Sequence, residues 1–256
     1  MKPYTLITGA STGFGKSLAI EFAQQGMNLV IVALPNSGLL ELGAFLKSNF
    51  EINVIALEMD LSNKENCLAL YESVKAHNAS IKYLINNAGV LSKGYFEDLQ
   101  EDYMLTQIGV NVTAPTLLTK LFIEDFKTNA PSGILNVSSM ASFFNMPKKQ
   151  VYSGTKAYLL SFSKSLRKEI GKYGIWVSVV CPGGMNTTTG LCMQNRRLGW
   201  LPRTSILDPE DAAKETLKRF FMKQELIVPG KMNKVFMFLD TIVPRAIKSR
   251  LTANVV

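Results

Sequence analysis

Short apolar, β-prone runs recur along the chain at 4–9, 28–34, 54–59, 82–85, 133–137, 176–180 and 225–229. Their near-continuous apolar character is that of strands buried on both faces. Between them the period changes to a helical one. In 16–25, Leu18, Ala19, Phe22 and Ala23 fall on one face, and Gly26 stands where a helix C-terminal glycine belongs. Further on, Asp208 followed by Pro209 reads as an N-cap and first helical residue. Strands alternating with helices of 10–18 residues predict an α/β fold, a doubly wound parallel sheet flanked by helices. No repeat, low-complexity tract or linker divides the 256 residues, so one domain is expected over 1–256.

Composition narrows the chemistry. Hydrophobic residues make up 47% and charged residues 19%, which places the chain among globular proteins. Cys67, Cys181 and Cys192 are scattered and have no CxxC spacing, and His77 is the one histidine. They read as reduced thiols, and no metal site is expected. The net charge of +8 is spread along the chain, with small groups only at Lys148-Lys149 and Arg196-Arg197. A solvated basic surface fits this better than a nucleic-acid partner. No run reaches transmembrane length, and the first motif begins at Thr8, so a cytoplasmic protein without a targeting segment is the expectation.

Two motifs carry the function. Gly9, Gly13 and Gly15 join the first strand to the first helix, together with Ser11, Thr12 and Phe14. Glycines in that context allow close backbone approach, and the helix start offers free N–H groups to a pyrophosphate. Far along the chain, Tyr152 and Lys156 lie one helical turn apart, on the same face. A free phenol, with a pKa of about 10, is a poor acid or base at neutral pH. A neighbouring ammonium is expected to pull that pKa down.

Thr8-Gly-x-x-x-Gly-x-Gly15 and Tyr152-x-x-x-Lys156 together resemble the classical short-chain dehydrogenase/reductase family, over roughly residues 4–230. Other motifs follow in the family's order. Asn86-Asn-Ala-Gly89 looks like the segment that steadies the sheet beside the cofactor, bringing in Asn87, Ala88 and Gly89. Asp60, with Leu61, matches the acid on the adenine side; Asn111 matches the family's helix asparagine. Ser139 lies thirteen residues before Tyr152, the family's spacing. Pro182-Gly-Gly-Met-Asn-Thr187 resembles the loop that holds the nicotinamide carboxamide, through Pro182, Gly183 and Thr187.

The resemblance implies a Rossmann-type sheet of order 3-2-1-4-5-6-7 and an NAD(P)(H)-dependent oxidoreductase. Tyr152 would be the acid/base and Ser139 the group that holds the substrate oxygen. Lys156 would tune the tyrosine and anchor the nicotinamide ribose, and Asn111 would hold a water leading to Lys156. The resemblance also implies a homodimer or homotetramer, paired through helices corresponding to 97–125 and 152–171. Ala157, Leu159, Leu160 and Phe162 would supply apolar material there, or line the monomer core instead.

Cofactor choice departs from the family pattern. Leu34 occupies the place of the acid that selects NAD or the base that accepts NADP, and Thr12 replaces a basic residue in the glycine loop. Asn36 and Ser37 can bond a hydroxyl or a phosphate. With no acid evident there and Lys16 nearby in sequence, the balance tips to NADP(H) over NAD(H). Residues 187–204, with Leu191, Met193, Leu198, Trp200 and Leu201, fall where the family has a substrate lid. Their character points to an apolar carbonyl or alcohol: 3-oxoacyl, steroid-like or lipid-derived. The tail 231–256 is apolar and basic; packing on the core or a partner subunit is favoured over contact with a membrane surface. A catalytically silent nucleotide-binding or scaffolding protein is the alternative, and an epimerase or dehydratase of the extended branch fits the glycine spacing less well.

Overall fold

The computed structural model describes residues 2–91, 94–144, 146–187, 193, 195 and 204–242, without the side chains of 239–242. Seven parallel strands are ordered β3-β2-β1-β4-β5-β6-β7. They are β1 Tyr4–Thr8, β2 Asn28–Ala33, β3 Val54–Glu58, β4 Ile81–Asn86, β5 Ser132–Val137, β6 Ile175–Val180 and β7 Leu226–Ile227. This is the order the resemblance implies. β7 is shorter than the expected 225–229 because Pro229 has no N–H and Gly230, at φ +82°, turns the chain away.

Each strand sends alternate residues to opposite faces, so the apolar runs feed two cores. Ile7, Leu29, Ile31 and Leu135 face one side, against α1 (Gly13–Gln24), α2 (Leu39–Phe50) and α8 (Pro209–Phe221). Phe22 of α1 and Phe220 of α8 meet there edge to face. Leu6, Val30, Val32, Leu84 and Ile134 face the other side. There they meet α3 (Lys64–Ala76), α5 (Ala114–Leu121), α6 (Ile123–Thr128) and the C-terminal end of α7 (Gln150–Ile170).

The segment expected as one helix over 97–125 is broken. A 3-10 turn at Phe96–Asp98 leads to α4 (Glu101–Ile108), a π-turn at Gly109–Thr113, and then α5 and α6. α9 (Lys231–Ile242) follows Gly230. The tail packs on the body as far as its side chains are described: Phe236 and Met237 lie against Met140, Val179, Cys181 and Val228. Val243, Pro244 and the basic residues beyond fall outside the described residues, as does most of 187–204.

Candidate active site

The site forms at the carboxyl ends of β1, β4, β5 and β6, where open α/β sheets bind ligands. On the nucleotide side, Gly13 has φ +52°, and a Cβ there would lie 2.9 Å from Thr187 Cγ2. A Cβ on Gly15 would run into the Gly9 carbonyl and the Asn87 amide. Positions 13 and 15 therefore admit no side chain, which leaves bare backbone there at the start of α1. A cleft of about 310 Å³ opens here between Ser11, Thr12, Gly13 and Lys16 on one wall and Asn186, Thr187 and Glu210 on the other. Lys16 thus lines the same cleft as Thr187 and Glu210. The Phe14 and Leu61 side chains are each 5% exposed and belong to the two cores, so only their backbone is free to meet a cofactor.

The Asn86–Gly89 segment is stapled to β1. Asn87 Nδ2 donates to the carbonyls of Thr8 (3.0 Å) and Gly9 (2.9 Å), and the N–H groups of Asn87 and Ala88 both donate to Thr8 Oγ1. Asn86 donates to Asn136 at 2.8 Å, and Asn136 to Ser163 of α7 at 2.9 Å. Such bonds are each worth about 1 kcal/mol, and leaving their buried groups unpaired would cost more. This ladder fixes α7 against the sheet.

α7 carries Tyr152 and Lys156 to the end of β5. Lys156 is 4% exposed, and its Nζ donates to Val137 O at 2.9 Å, 5.8 Å from the Tyr152 ring centroid. Ser138 Oγ pins the same turn through Lys156 O at 2.8 Å. Ser139 caps the short turn Met140–Ser142 by accepting the Ala141 N–H, and Met140 N–H donates to Pro182 O. Asn111 sits in the π-turn, fully buried. Its Oδ1 accepts Val90 N–H at 2.8 Å, while Nδ2 donates to Val90 O and Thr155 Oγ1, both at 3.0 Å. Gly89 lies between Asn111 and Lys156; a Cβ there would be 3.2 Å from Nζ and 3.4 Å from Oδ1. The four expected residues thus converge on one wall.

Electrostatics correct one expectation. The Tyr152 pKa is raised, not lowered: burial pushes it up, the Ser139 hydroxyl pulls it back, and Cys181 nearby adds to the rise. Burial thus favours the neutral phenol. Burial lowers Lys156 to about 8, against a smaller upward pull from Cys181. Burial also pushes the Cys181 thiol up to about 11, in keeping with a small core residue.

Residues missed in the sequence complete the wall. Thr155 lies inside the Tyr-Lys motif and ties it to Asn111. Asn233 of α9, 2% exposed, donates to Ser205 O (3.1 Å) and Pro229 O (2.9 Å) beneath Gly183. Its seat in the tail left no local signal. The two ends of 187–204 are drawn together where Met185 pairs with Leu207 and Asn186 Nδ2 bonds Asp208 Oδ1 at 3.0 Å. Asp208 thereby starts α8 without a side-chain cap bond.

The fold and this wall define a nicotinamide-dependent oxidoreductase, and the comparisons agree. The short chain dehydrogenase family matches residues 3–196. A similar relative is the NADP-dependent 3-hydroxy acid dehydrogenase of Schizosaccharomyces pombe, 31% identical over 229 residues, 87% of this chain and 88% of that one. Among solved structures, a bulky-bulky ketone specific alcohol dehydrogenase from Comamonas testosteroni superposes with TM-score 0.79 at 27% identity, covering 99% of this chain and 95% of that one. A short-chain dehydrogenase from Sphingobium yanoikuyae in complex with NADPH has TM-score 0.79 at 27% identity, covering 95% and 97%. The chain belongs to the short-chain dehydrogenase family. It is an NAD(P)-dependent oxidoreductase. Among the described residues no helix is long and apolar enough to cross a membrane, and no cluster of metal ligands occurs.

Proposed function

We propose that this single-domain enzyme reduces an apolar carbonyl compound to a secondary alcohol, with Tyr152 as the proton donor. The carrying observation is geometric: Tyr152 and the buried Lys156, one turn apart on α7, meet Ser139 at the end of β5, with Asn111 tied to the same turn through Thr155. In this reading a bound nicotinamide supplies the hydride. Ser139 holds the carbonyl oxygen, and Tyr152 delivers a proton to it as its charge develops. Lys156 stabilises the phenolate left behind and anchors the nicotinamide ribose; Asn111 fixes the Val90 backbone and, through Thr155, the base of the motif. The cradle of Gly9, Gly13 and Gly15 takes the pyrophosphate, Asp60 the adenine side, and Pro182, Gly183 and Thr187 the carboxamide.

NADP(H) is placed ahead of NAD(H) because the yeast relative is NADP-dependent and the Sphingobium structure holds NADPH. An apolar, bulky substrate is supported by the ketone specificity of the Comamonas enzyme and by Phe143, Phe144, Leu160 and Phe236 packed about Met140. Leu105, Ile108 and Tyr158 are exposed on α4 and α7, the surface through which a homodimer or homotetramer would form; Leu159 and Leu160 pack within the monomer. NADPH oxidation against bulky ketones, 3-oxoacyl thioesters and ketosteroids tests the reading. Turnover of one class that depends on Tyr152 supports it; turnover that survives Tyr152→Phe refutes it.

A further inference from the structure

We propose that Glu58, at the end of β3, is a specificity-determining residue that restrains NADPH binding relative to NADH. The inference rests on the nicotinamide-dependent reading above and deepens it.

β2 ends at Ala33 with no charged residue after it, and Leu34 is 56% exposed. Pro35 has no N–H, so the next backbone donor in the turn is that of Asn36. Asn36 is left-handed at φ +58° and Gly38 at φ +79°, so the chain turns back sharply after β2 with the Asn36 N–H presented as a donor. The Ser37 hydroxyl is already spent on Leu34 O at 2.6 Å.

An acid from the neighbouring strand takes up that donor. β2 and β3 pair with Ala33 opposite Glu58, and Glu58 Oε1 accepts the Asn36 N–H at 2.9 Å. Glu58 takes part in none of the ion pairs among the described residues; its partner at this turn is the Asn36 N–H. The turn adjoins the glycine loop, since Ala10 N–H donates to Val32 O at 3.1 Å. This is the rim where the adenosine ribose of a dinucleotide sits.

The chemistry then separates the two cofactors. A ribose with a free 2′-hydroxyl can donate to the Glu58 carboxylate. A 2′-phosphate meets a like charge on the donor it would use itself. The acid missing at the end of β2 is supplied by β3, and it narrows whatever preference for NADPH the rest of the site confers.

The test is fluorescence titration of NADPH and NADH, with 2′,5′-ADP as a probe lacking nicotinamide, on wild type, Glu58→Gln and Glu58→Ala. Glutamine keeps an acceptor for the Asn36 N–H and removes the charge. The expected result is NADPH and 2′,5′-ADP bound about tenfold tighter by Glu58→Gln, with NADH unchanged or weaker. An unchanged NADPH to NADH ratio in both variants overturns the inference, as does parallel weakening of both cofactors. Folded wild type that binds neither dinucleotide overturns the cofactor reading itself, a result distinct from either.

Discussion

Under the proposed function the wall built from β4, β5 and α7 and the turn at 34–37 would meet the same cofactor, yet they are held very differently. Asn111, Asn86, Asn136, Ser138 and Lys156 are buried, and each is fixed by side-chain hydrogen bonds to backbone or to one another. The turn at 34–37 is exposed and is held chiefly by Ser37 and by Glu58 reaching across from β3. Groups that must meet a reacting atom are preorganised at the cost of burying polar atoms. Groups that only discriminate one nucleotide from another sit where substitution costs little stability.

Variants should break this contrast in order of burial. Tyr152→Phe removes the proton donor and is expected to lower kcat about 10²–10⁴-fold, with NADPH affinity nearly unchanged, read by steady-state kinetics beside a binding titration. Asn111→Leu strips the Val90 N–H of its acceptor and removes one donor each from Val90 O, which keeps Gln107 Nε2, and from the Thr155 hydroxyl, which still donates to Tyr152 O. It should destabilise the fold by about 3 kcal/mol in urea unfolding and also lower kcat.

Lys156 gives a pH signature. The unfolded chain keeps this proton up to the ordinary 10.5, the native protein only to about 8, so the unfolded state binds more protons in between and stability rises with pH there. Cys181 works the other way between its ordinary 9.0 and about 11, because the native thiol holds its proton longer. The net rise is therefore concentrated between pH 8 and 9, and is about 1 kcal/mol there. Urea unfolding across that range should show it in wild type and a flat response in Lys156→Met. At the exposed end, Leu34→Arg should change stability by no more than about 0.5 kcal/mol and tighten NADPH about tenfold in titration. A large loss of stability in that variant would break the contrast at its weaker side.

The strands and the glycine turn were legible because their signals are local: runs of apolar residues, and glycines where a strand meets a helix. The wall was legible because Ser139, Tyr152 and Lys156 keep fixed spacings along one strand end and one helix. Glu58 escaped because its role depends on the register of β3 against β2, which no local pattern reveals. For the same reason the turn seemed free of acids, and Lys16, close in sequence, proved to line the Thr187 cleft. Asn233 depends on where the chain goes after Gly230. The direction of the Tyr152 shift depends on burial, which outweighs a neighbour that sequence spacing alone makes conspicuous.

The π-turn at Gly109–Thr113 makes chain length itself a determinant of the site. Its wider loop takes up an extra residue relative to a regular helix. Removing one residue ahead of Asn111 would close the bulge into a regular helix, leaving the turns on either side in register while the residues of the turn itself change their direction. The asparagine would then point away from the Val90 backbone it now bridges. A deletion here amounts to a change of aim, one that no substitution at Val110 or Val112 could reproduce.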